Sequence, residues 1–245
     1  MRAIILSAGQ GKRLLPLTSD TPKCALNVGG QSLLEWQLDM LAACGVNQVT
    51  VVVGYGAEQV EQLVQNRSAG QQVETLLNAD YAVSDNLVSC WMVRERMDQD
   101  FVLLNGDTLF EAAVLQRLLL TPSEAVTVTI NHKKAYDADD MKVKLEGTRL
   151  VNIGKGLSSD DVDGESIGMI LFRGTGPQLF RSSIEAALEN PAARKRWYLS
   201  VINDMAQTMP VWTCSADGLA WCEVDYPADL ESAVEVVQLC RCGVQ

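Results

Sequence analysis

The chain has 245 residues, 47% of them hydrophobic, and a formal net charge of −11. That length allows one large α/β domain with a substantial core. The acidic balance argues against a protein that coats nucleic acid, and no apolar run approaches the length that spans a bilayer. Met1 to Leu6 is too short for a signal peptide. Seven cysteines (Cys24, Cys44, Cys90, Cys214, Cys222, Cys240, Cys242) contain no C-x-x-C pair. They read as reduced thiols of a cytoplasmic protein rather than a disulfide frame or zinc site. The terminal Cys240-Arg241-Cys242 is expected in a frayed tail.

Apolar runs predict strands over 3–6, 49–53, 73–76 and 101–104, and helix-spaced apolar residues predict helices over 33–41, 58–64 and 86–97. Strand–helix alternation at this spacing implies βαβ units and a single Rossmann-like, doubly wound, mixed but mainly parallel sheet. Further strands are expected over 125–130, 141–145, 150–153 and 166–172, near 210–214, and over 221–224. Helices are expected over 178–188, 199–205 and 228–237. No linker, repeat or low-complexity tract divides the chain. Residues 1–245 therefore read as one domain, with a nucleotide-binding front half (1–110) and an acceptor-binding back half (111–245).

Ligands of such sheets bind beyond the carboxyl ends of the strands. The first strand ends at Leu6, and the loop Ser7-Ala8-Gly9-Gln10-Gly11 follows, then Lys12, Arg13 and, behind a proline, Lys23. Gly9 and Gly11 let backbone N–H groups approach an anion, and the cations offset charge during phosphoryl chemistry. It is not a P-loop, because Leu6 holds the first glycine position and Arg13 follows Lys12. Nor is it a dinucleotide fingerprint, since Leu14 replaces the third glycine.

A carboxylate, Asp107, stands beyond the fourth strand in Asn105-Gly106-Asp107, where it could hold Mg²⁺ or cap a turn. Asp225, at the end of the strand over 221–224 and just before Pro227, is a second carboxylate that could hold a metal or cap a helix. Asp229 fits a first-turn helix carboxylate. Lys142 alternates with apolar residues, as on the outer face of a strand. Glu165 precedes a strand, either as a polar turn residue or as a group that recognises a hydroxyl or an ammonium. Trp197, Tyr198, Trp212 and Trp221 are the available pieces of an aromatic cage for a cationic amine, although Trp212 and Trp221 sit in strand patterns. His132, beside Lys133 and Lys134, reads as solvated loop, and the acidic run Asp137–Asp140 could, with Glu165, surround an ammonium, although a charge run more often marks a solvated loop.

The string L-S-A-G-x-G-x-R-L-x-P-L-T-x-x-x-P-K from Leu6 to Lys23 resembles the signature of the nucleoside-triphosphate transferases, which are nucleotidyltransferases acting on sugar and alcohol phosphates. The resemblance implies Mg²⁺ shared by Asp107 and Asp225, with Lys23 on the α-phosphate and Arg13 on the leaving β- and γ-phosphates. Leu6, Ala8, Gly9, Gly11 and Gly106 would line the nucleotide, and Lys155 would hold the acceptor's phosphate. Chemistry then needs no protein base. An ionised phosphate or phosphonate oxygen attacks the α-phosphorus in line and releases pyrophosphate. Lys142, Glu165 and Tyr198 are further acceptor candidates.

The chain lacks the Gln-x-x-x-x-Gly loop of thymidylyl- and uridylyltransferases. Residues 78–90 instead resemble the Asn-x-x-Tyr-x-x-x-Asn-Asn-x-x-Ser-Leu form of phosphocholine cytidylyltransferases and their inositol-phosphate and phosphonate relatives. Asn78, Tyr81, Asn86 and Ser89 match, while Asp85 and Cys90 depart. The implied partners are CTP, with Asn78 and Ser84 as contacts, and a small phosphate or phosphonate acceptor of the 2-aminoethylphosphonate or phosphocholine type. A homodimer is left open. Two alternatives stand beside this reading: a sugar-1-phosphate nucleotidyltransferase, and a non-catalytic regulatory subunit that keeps the fold.

Overall fold

A computed structural model describes residues 1–65, 70–158 and 161–242. In chain order the elements are β1 (Arg2–Ser7), β2 (Asn27–Val28), β3 (Gln31–Ser32), α1 (Leu33–Ala43), β4 (Gln48–Val53), α2 (Ala57–Gln65) and β5 (Gln72–Leu77). Then come α3 (Asn86–Met92), β6 (Phe101–Asn105), β7 (Thr108–Phe110), α4 (Ala112–Leu119), β8 (Val126–Asn131), β9 (Lys142–Glu146) and β10 (Arg149–Gly154). The chain closes with β11 (Gly164–Phe172), α5 (Gly176–Leu188), α6 (Tyr198–Ala206), β12 (Trp212–Ser215), β13 (Trp221–Glu223) and α7 (Asp229–Cys242).

Nine strands form one sheet in the order β5-β4-β1-β6-β11-β8-β12-β10-β9. The first four are mutually parallel. Beyond β6 the pairing is mixed: β11 runs antiparallel to β6 and β8, β12 is parallel to β8, and β9 and β10 pair antiparallel. The central strands read as apolar runs because both faces are covered. Ile5, Val51, Val53, Val102 and Leu104 enter one core, while Ile4, Val52 and Leu103 enter the other, as the two-residue period of a strand requires. Residues of α1, α4 and α7 fill the first core, and residues of α3, α5 and α6 the second.

Local chemistry sets several boundaries. Ser32 starts α1 through a reciprocal capping box with Glu35, which satisfies amide groups that the first turn leaves open. The helix expected over 86–97 ends at Met92, and a 3₁₀ turn covers Arg94–Arg96. Arg94 draws off the helix carbonyl of Trp91 with a 2.9 Å hydrogen bond while its guanidinium stacks 4.0 Å from the Trp91 ring. The C-terminal segment is not a frayed tail as far as Cys242. It continues α7, and buried Cys240 donates its thiol to the Phe110 carbonyl. Two short features had no apolar signal: the β2–β3 ladder, and β7, whose pairing with β13, the strand expected over 221–224, sets the site's geometry. Among the described residues no helix is long and apolar enough to cross a membrane.

Candidate active site

β1 and β6 end side by side, and their C-terminal loops, together with the segment that follows β5, line a cavity of about 400 Å³. Leu6, Ala8, Gly9, Gly11, Arg13, Lys23, Asn78, Ser84, Gly106, Asp107 and Asp225 all line it. Lys155, Glu165, Lys142 and Tyr198 do not. Gly11 adopts the left-handed conformation, φ 69°, which a side chain would resist. Gly106 lies against the first strand so closely that a Cβ there would strike Ser7 Oγ and the Leu6 carbonyl. This contact places the residue that follows, Asp107, over the end of β1.

The Asp107 turn is held from three sides. Buried Gln37 of α1 donates to the carbonyls of Asn105 (2.7 Å) and Thr108 (2.8 Å). β13 pairs with β7 in the register Glu223↔Thr108, and the Val224 amide reaches the Asp107 carbonyl at 3.1 Å. Asp225 is thereby carried to Asp107 from 118 positions further along the chain (225 minus 107). Asp229 then accepts the amides of Asp225 (2.8 Å) and Tyr226 (2.7 Å), fixing the turn into α7.

Cations and carboxylates are interleaved here. Lys23 Nζ lies 2.7 Å from Asp107 Oδ2 and 2.5 Å from Asp225 Oδ1. Arg13 takes the other Asp225 oxygen at 2.7 Å and lies 3.3 Å from Asp139 Oδ2, with its guanidinium 5.0 Å from the Tyr226 ring. Burial works against the Lys23 ammonium, but Asp107 and Asp225 outweigh it and raise its pKa above the usual lysine value.

The two aspartates fit a hard divalent cation. Asp107 Oδ1 is buried with no hydrogen-bond partner, and both side chains offer carboxylate oxygen. Among the described residues no group of three or more His, Cys, Asp and Glu side chains gathers as a metal cage. A two-carboxylate site suits Mg²⁺, which takes most of its remaining ligands from water and substrate phosphates.

The nucleotide candidates Asn78 and Ser84 are tied into the cavity wall. Asn78 donates to Ser89 Oγ at 2.9 Å and accepts the Asp80 amide at 2.9 Å. Ser84 donates to the Asp80 carbonyl at 2.8 Å. Asp85, which departs from the resembled motif, lines the same wall and accepts the Asn86 amide at the start of α3 (2.8 Å).

The acceptor candidates lie outside the cavity lining. Lys155 lies 4.6 Å above the Trp197 ring and 3.5 Å from Asp139 Oδ1. Lys142 is buried, not on an outer strand face, and its ammonium donates to the Lys155 carbonyl at 3.1 Å. β9 pairs with both β10 and β11, which encloses the side chain. Buried Glu165 accepts from Lys133 at 2.8 Å, and Lys133 also holds Asp140 at 2.7 Å. Burial still keeps the Glu165 pKa above the usual carboxylate value. Tyr198 is fully buried and reaches the cavity wall only through Asn105, donating to its Oδ1 at 3.1 Å. His132 is half-exposed, with Nδ1 2.7 Å from Asp217.

Two participants escaped the sequence reading. Glu223 is a third carboxylate beside the aspartate pair; burial first, then Asp107 and Asp225, push its pKa up to about 8. Its signal was present: Glu223 and Asp225 are two residues apart in an extended segment, where alternate side chains share a face. Asp139 was assigned to a solvated acidic run. It is exposed, yet it accepts from Tyr226 Oη at 3.0 Å and faces both Arg13 and Lys155.

A glycine loop, fixed cations and paired carboxylates thus converge at the carboxyl edge of a parallel sheet. The chain belongs to the Nucleotidyl transferase family, whose model matches residues 2–140. It is 30% identical over 239 residues to the CMP-5'-(3-aminopropyl)phosphonate synthase of Streptomyces rubellomurinus, covering 95% of this chain and 38% of that one. It is 35% identical over 111 residues to the choline-phosphate cytidylyltransferase of Streptococcus pneumoniae, covering 45% of this chain and 47% of that one. The matches thus span less than half the length of these two relatives. Among solved structures, the inositol-1-phosphate CTP transferase from T. maritima superposes with a TM-score of 0.85 at 23% identity, covering 100% of this chain and 97% of that one. That likeness confirms the α/β nucleotidyltransferase fold.

Proposed function

We propose that the protein is a CTP-dependent cytidylyltransferase that transfers CMP to a small phosphonate or phospho-alcohol bearing a cationic amine, releasing pyrophosphate. The observation that carries the transfer is the convergence of Gly9, Gly11, Arg13, Lys23, Asp107 and Asp225 on one cavity. Asp107 and Asp225 would hold Mg²⁺, which supplies Lewis-acid stabilisation of charge on the transferred phosphoryl group. The glycine-loop amides bind the phosphates, Lys23 neutralises the α-phosphate, and Arg13 neutralises the departing pyrophosphate. No protein base is required, because the attacking phosphate or phosphonate is already largely ionised near neutral pH.

Cytosine is favoured by the Asn78–Ser89 segment and by the cytidylyl relatives on both sides of the acceptor question. An amine on the acceptor is supported by the edge of the cavity. Glu223, whose carboxyl burial and the two aspartates keep from ionising, would be drawn to its charged form by an acceptor ammonium placed beside it. Trp197 offers an aromatic face that already receives the Lys155 ammonium, the geometry by which aromatic rings attract cations.

Pyrophosphate release with Mg²⁺ tests the reading. CTP, UTP, dTTP and GTP are each paired with 2-aminoethylphosphonate, phosphocholine, inositol-1-phosphate and glucose-1-phosphate. The expected outcome is turnover with CTP and an amine-bearing acceptor. Preference for UTP or dTTP with a sugar phosphate would replace this reading with a sugar-1-phosphate nucleotidyltransferase. Absence of turnover in every pairing would favour a non-catalytic role.

A further inference from the structure

Three cations expected to meet phosphate, Arg13, Lys23 and Lys155, each face a carboxylate. Three of the four oxygens of Asp107 and Asp225 are engaged: Lys23 takes one from each residue, and Arg13 takes the second oxygen of Asp225. The fourth, Asp107 Oδ1, is buried and unpartnered. The Lys23 side chain is 13% exposed, so its ammonium is enclosed between the two carboxylates rather than grazing them from solvent. Two ionised carboxylates held this close need a counter-cation, and Lys23 is that cation.

We infer that Lys23 is a displaceable resident cation that keeps divalent metal off the Asp107–Asp225 pair until nucleotide arrives, so that metal and nucleotide enter together. The inference rests on the reading of these aspartates as the metal pair. An ammonium bridging both carboxylates and a dication held by the same oxygens repel each other, so occupancy by one excludes the other at that position. Metal alone would push Lys23 away from its partners and leave its charge uncompensated in an enclosed site, which is costly. A nucleotide changes the outcome, because its α-phosphate takes the released ammonium while its phosphate oxygens add ligands to the metal. Linkage then makes the effect reciprocal: nucleotide raises metal affinity and metal raises nucleotide affinity by the same factor. Lys23 therefore has two successive partners, the aspartates before metal and nucleotide bind and the α-phosphate afterwards.

The test is direct metal binding, with no acceptor and no turnover. Mn²⁺ serves as a paramagnetic probe, titrated into the intact protein with and without α,β-methylene-CTP and followed by electron paramagnetic resonance. Wild type should bind Mn²⁺ weakly alone. Lys23→Met should bind it about tenfold more tightly than wild type without nucleotide, and the gain from adding nucleotide should shrink in that variant. Lys23→Arg, which keeps the charge, should stay weak. Lys23→Gln provides a second neutral variant, and melting curves in EDTA and in Mn²⁺ verify that each protein is folded. The neutral variants should melt lower than wild type in EDTA and recover more on adding Mn²⁺. Mn²⁺ affinity unchanged by either neutral substitution overturns the inference while leaving the metal site standing. No Mn²⁺ binding by any of these proteins, even with the nucleotide analogue, removes both the inference and the metal pair beneath it.

Discussion

The parallel half of the sheet, β5-β4-β1-β6, presents its part of the site largely through backbone. Its decisive features are a glycine loop, a strand crossing close enough to exclude a Cβ at Gly106, and strand ends in register. The chain beyond β6 contributes single side chains brought from distant segments: Asp139, Lys155 and Glu165 from the mixed half and its loops, and Glu223 and Asp225 from the separate β7–β13 pair and the turn after it. Backbone geometry suits what all nucleoside triphosphates share, a row of phosphate oxygens. Individual side chains suit what distinguishes one acceptor from another. The contrast predicts that changes in the first half remove turnover or the fold, whereas changes at the acceptor edge redistribute substrate preference.

The largest effect should come where the halves meet. Asp107→Ala should lower kcat by about a thousandfold or more, the scale expected when a group stabilising transition-state charge is lost. Asp225→Ala should do nearly as much, and the double variant little more, since residues acting as a unit are not additive. Steady-state pyrophosphate release reads all three. Near-normal turnover in Asp107→Ala would remove the centre of the proposed chemistry.

Gly106→Ala comes next and acts on the fold. Its Cβ would meet Ser7 Oγ and the Leu6 carbonyl, and the carbonyl cannot yield without moving β1. A cost of about 1–3 kcal/mol is expected for such overpacking, visible as a lower midpoint in urea unfolding. A variant as stable as wild type would show that the strand ends are more compliant than the sheet's register implies.

What was legible in the sequence follows the same division. β1, β4 and β6 are nearly continuous apolar runs because both of their faces are covered, so composition alone marks them. The Leu6–Lys23 loop is contiguous, and its glycines and cations are adjacent in the chain as well as in space. Asp107 and Asp225 were readable as strand-end carboxylates, but their meeting depends on the β7–β13 pair. The strand expected over 221–224 is β13, but its partner β7 is three residues long, too short to show a period. Asp139 was illegible for a different reason. An acidic run in a loop looks solvated whether or not one member turns inward, and only the positions of Arg13, Lys155 and Tyr226 reveal that it does. Lys142 misled because alternation marks two faces without saying which is covered.

Glu223→Gln should separate the halves kinetically. If Glu223 serves an acceptor ammonium, KM for an amine-bearing acceptor should rise about tenfold or more, the scale of one lost charge-assisted contact. KM for CTP should hold, and turnover of a neutral acceptor such as inositol-1-phosphate should be unaffected or improved. A rise in KM for CTP instead would place Glu223 with the metal pair, on the nucleotide side of the comparison.

The smallest effect probes the seam between the halves. The Asp85 amide donates to the Arg194 carbonyl (2.8 Å), and the next residue, Asn86, accepts the Tyr198 amide (2.8 Å). The front helix α3 thus starts from the segment that leads into α6. Burial raises the Asp85 pKa in the folded protein, although the Asn86 amide and the nearby Lys195 and Lys155 oppose it. A carboxyl whose folded pKa lies above its unfolded value binds its proton more tightly when folded. Stability therefore falls as pH rises from the unfolded pKa through the folded one, and the full penalty persists at neutral pH. Asparagine caps a helix about as well as aspartate and carries no charge to desolvate. Asp85→Asn should accordingly stabilise the protein at pH 7, by less than about 1 kcal/mol given the solvent screening of a half-buried group. The gain should vanish below the unfolded pKa, where the wild-type carboxyl is protonated in both states. Urea midpoints at pH 7 and at pH 3 measure the difference. An equal gain at both pH values would assign the effect to the amide's hydrogen bonds, and a loss at pH 7 would make the Asp85 charge a working part of the seam.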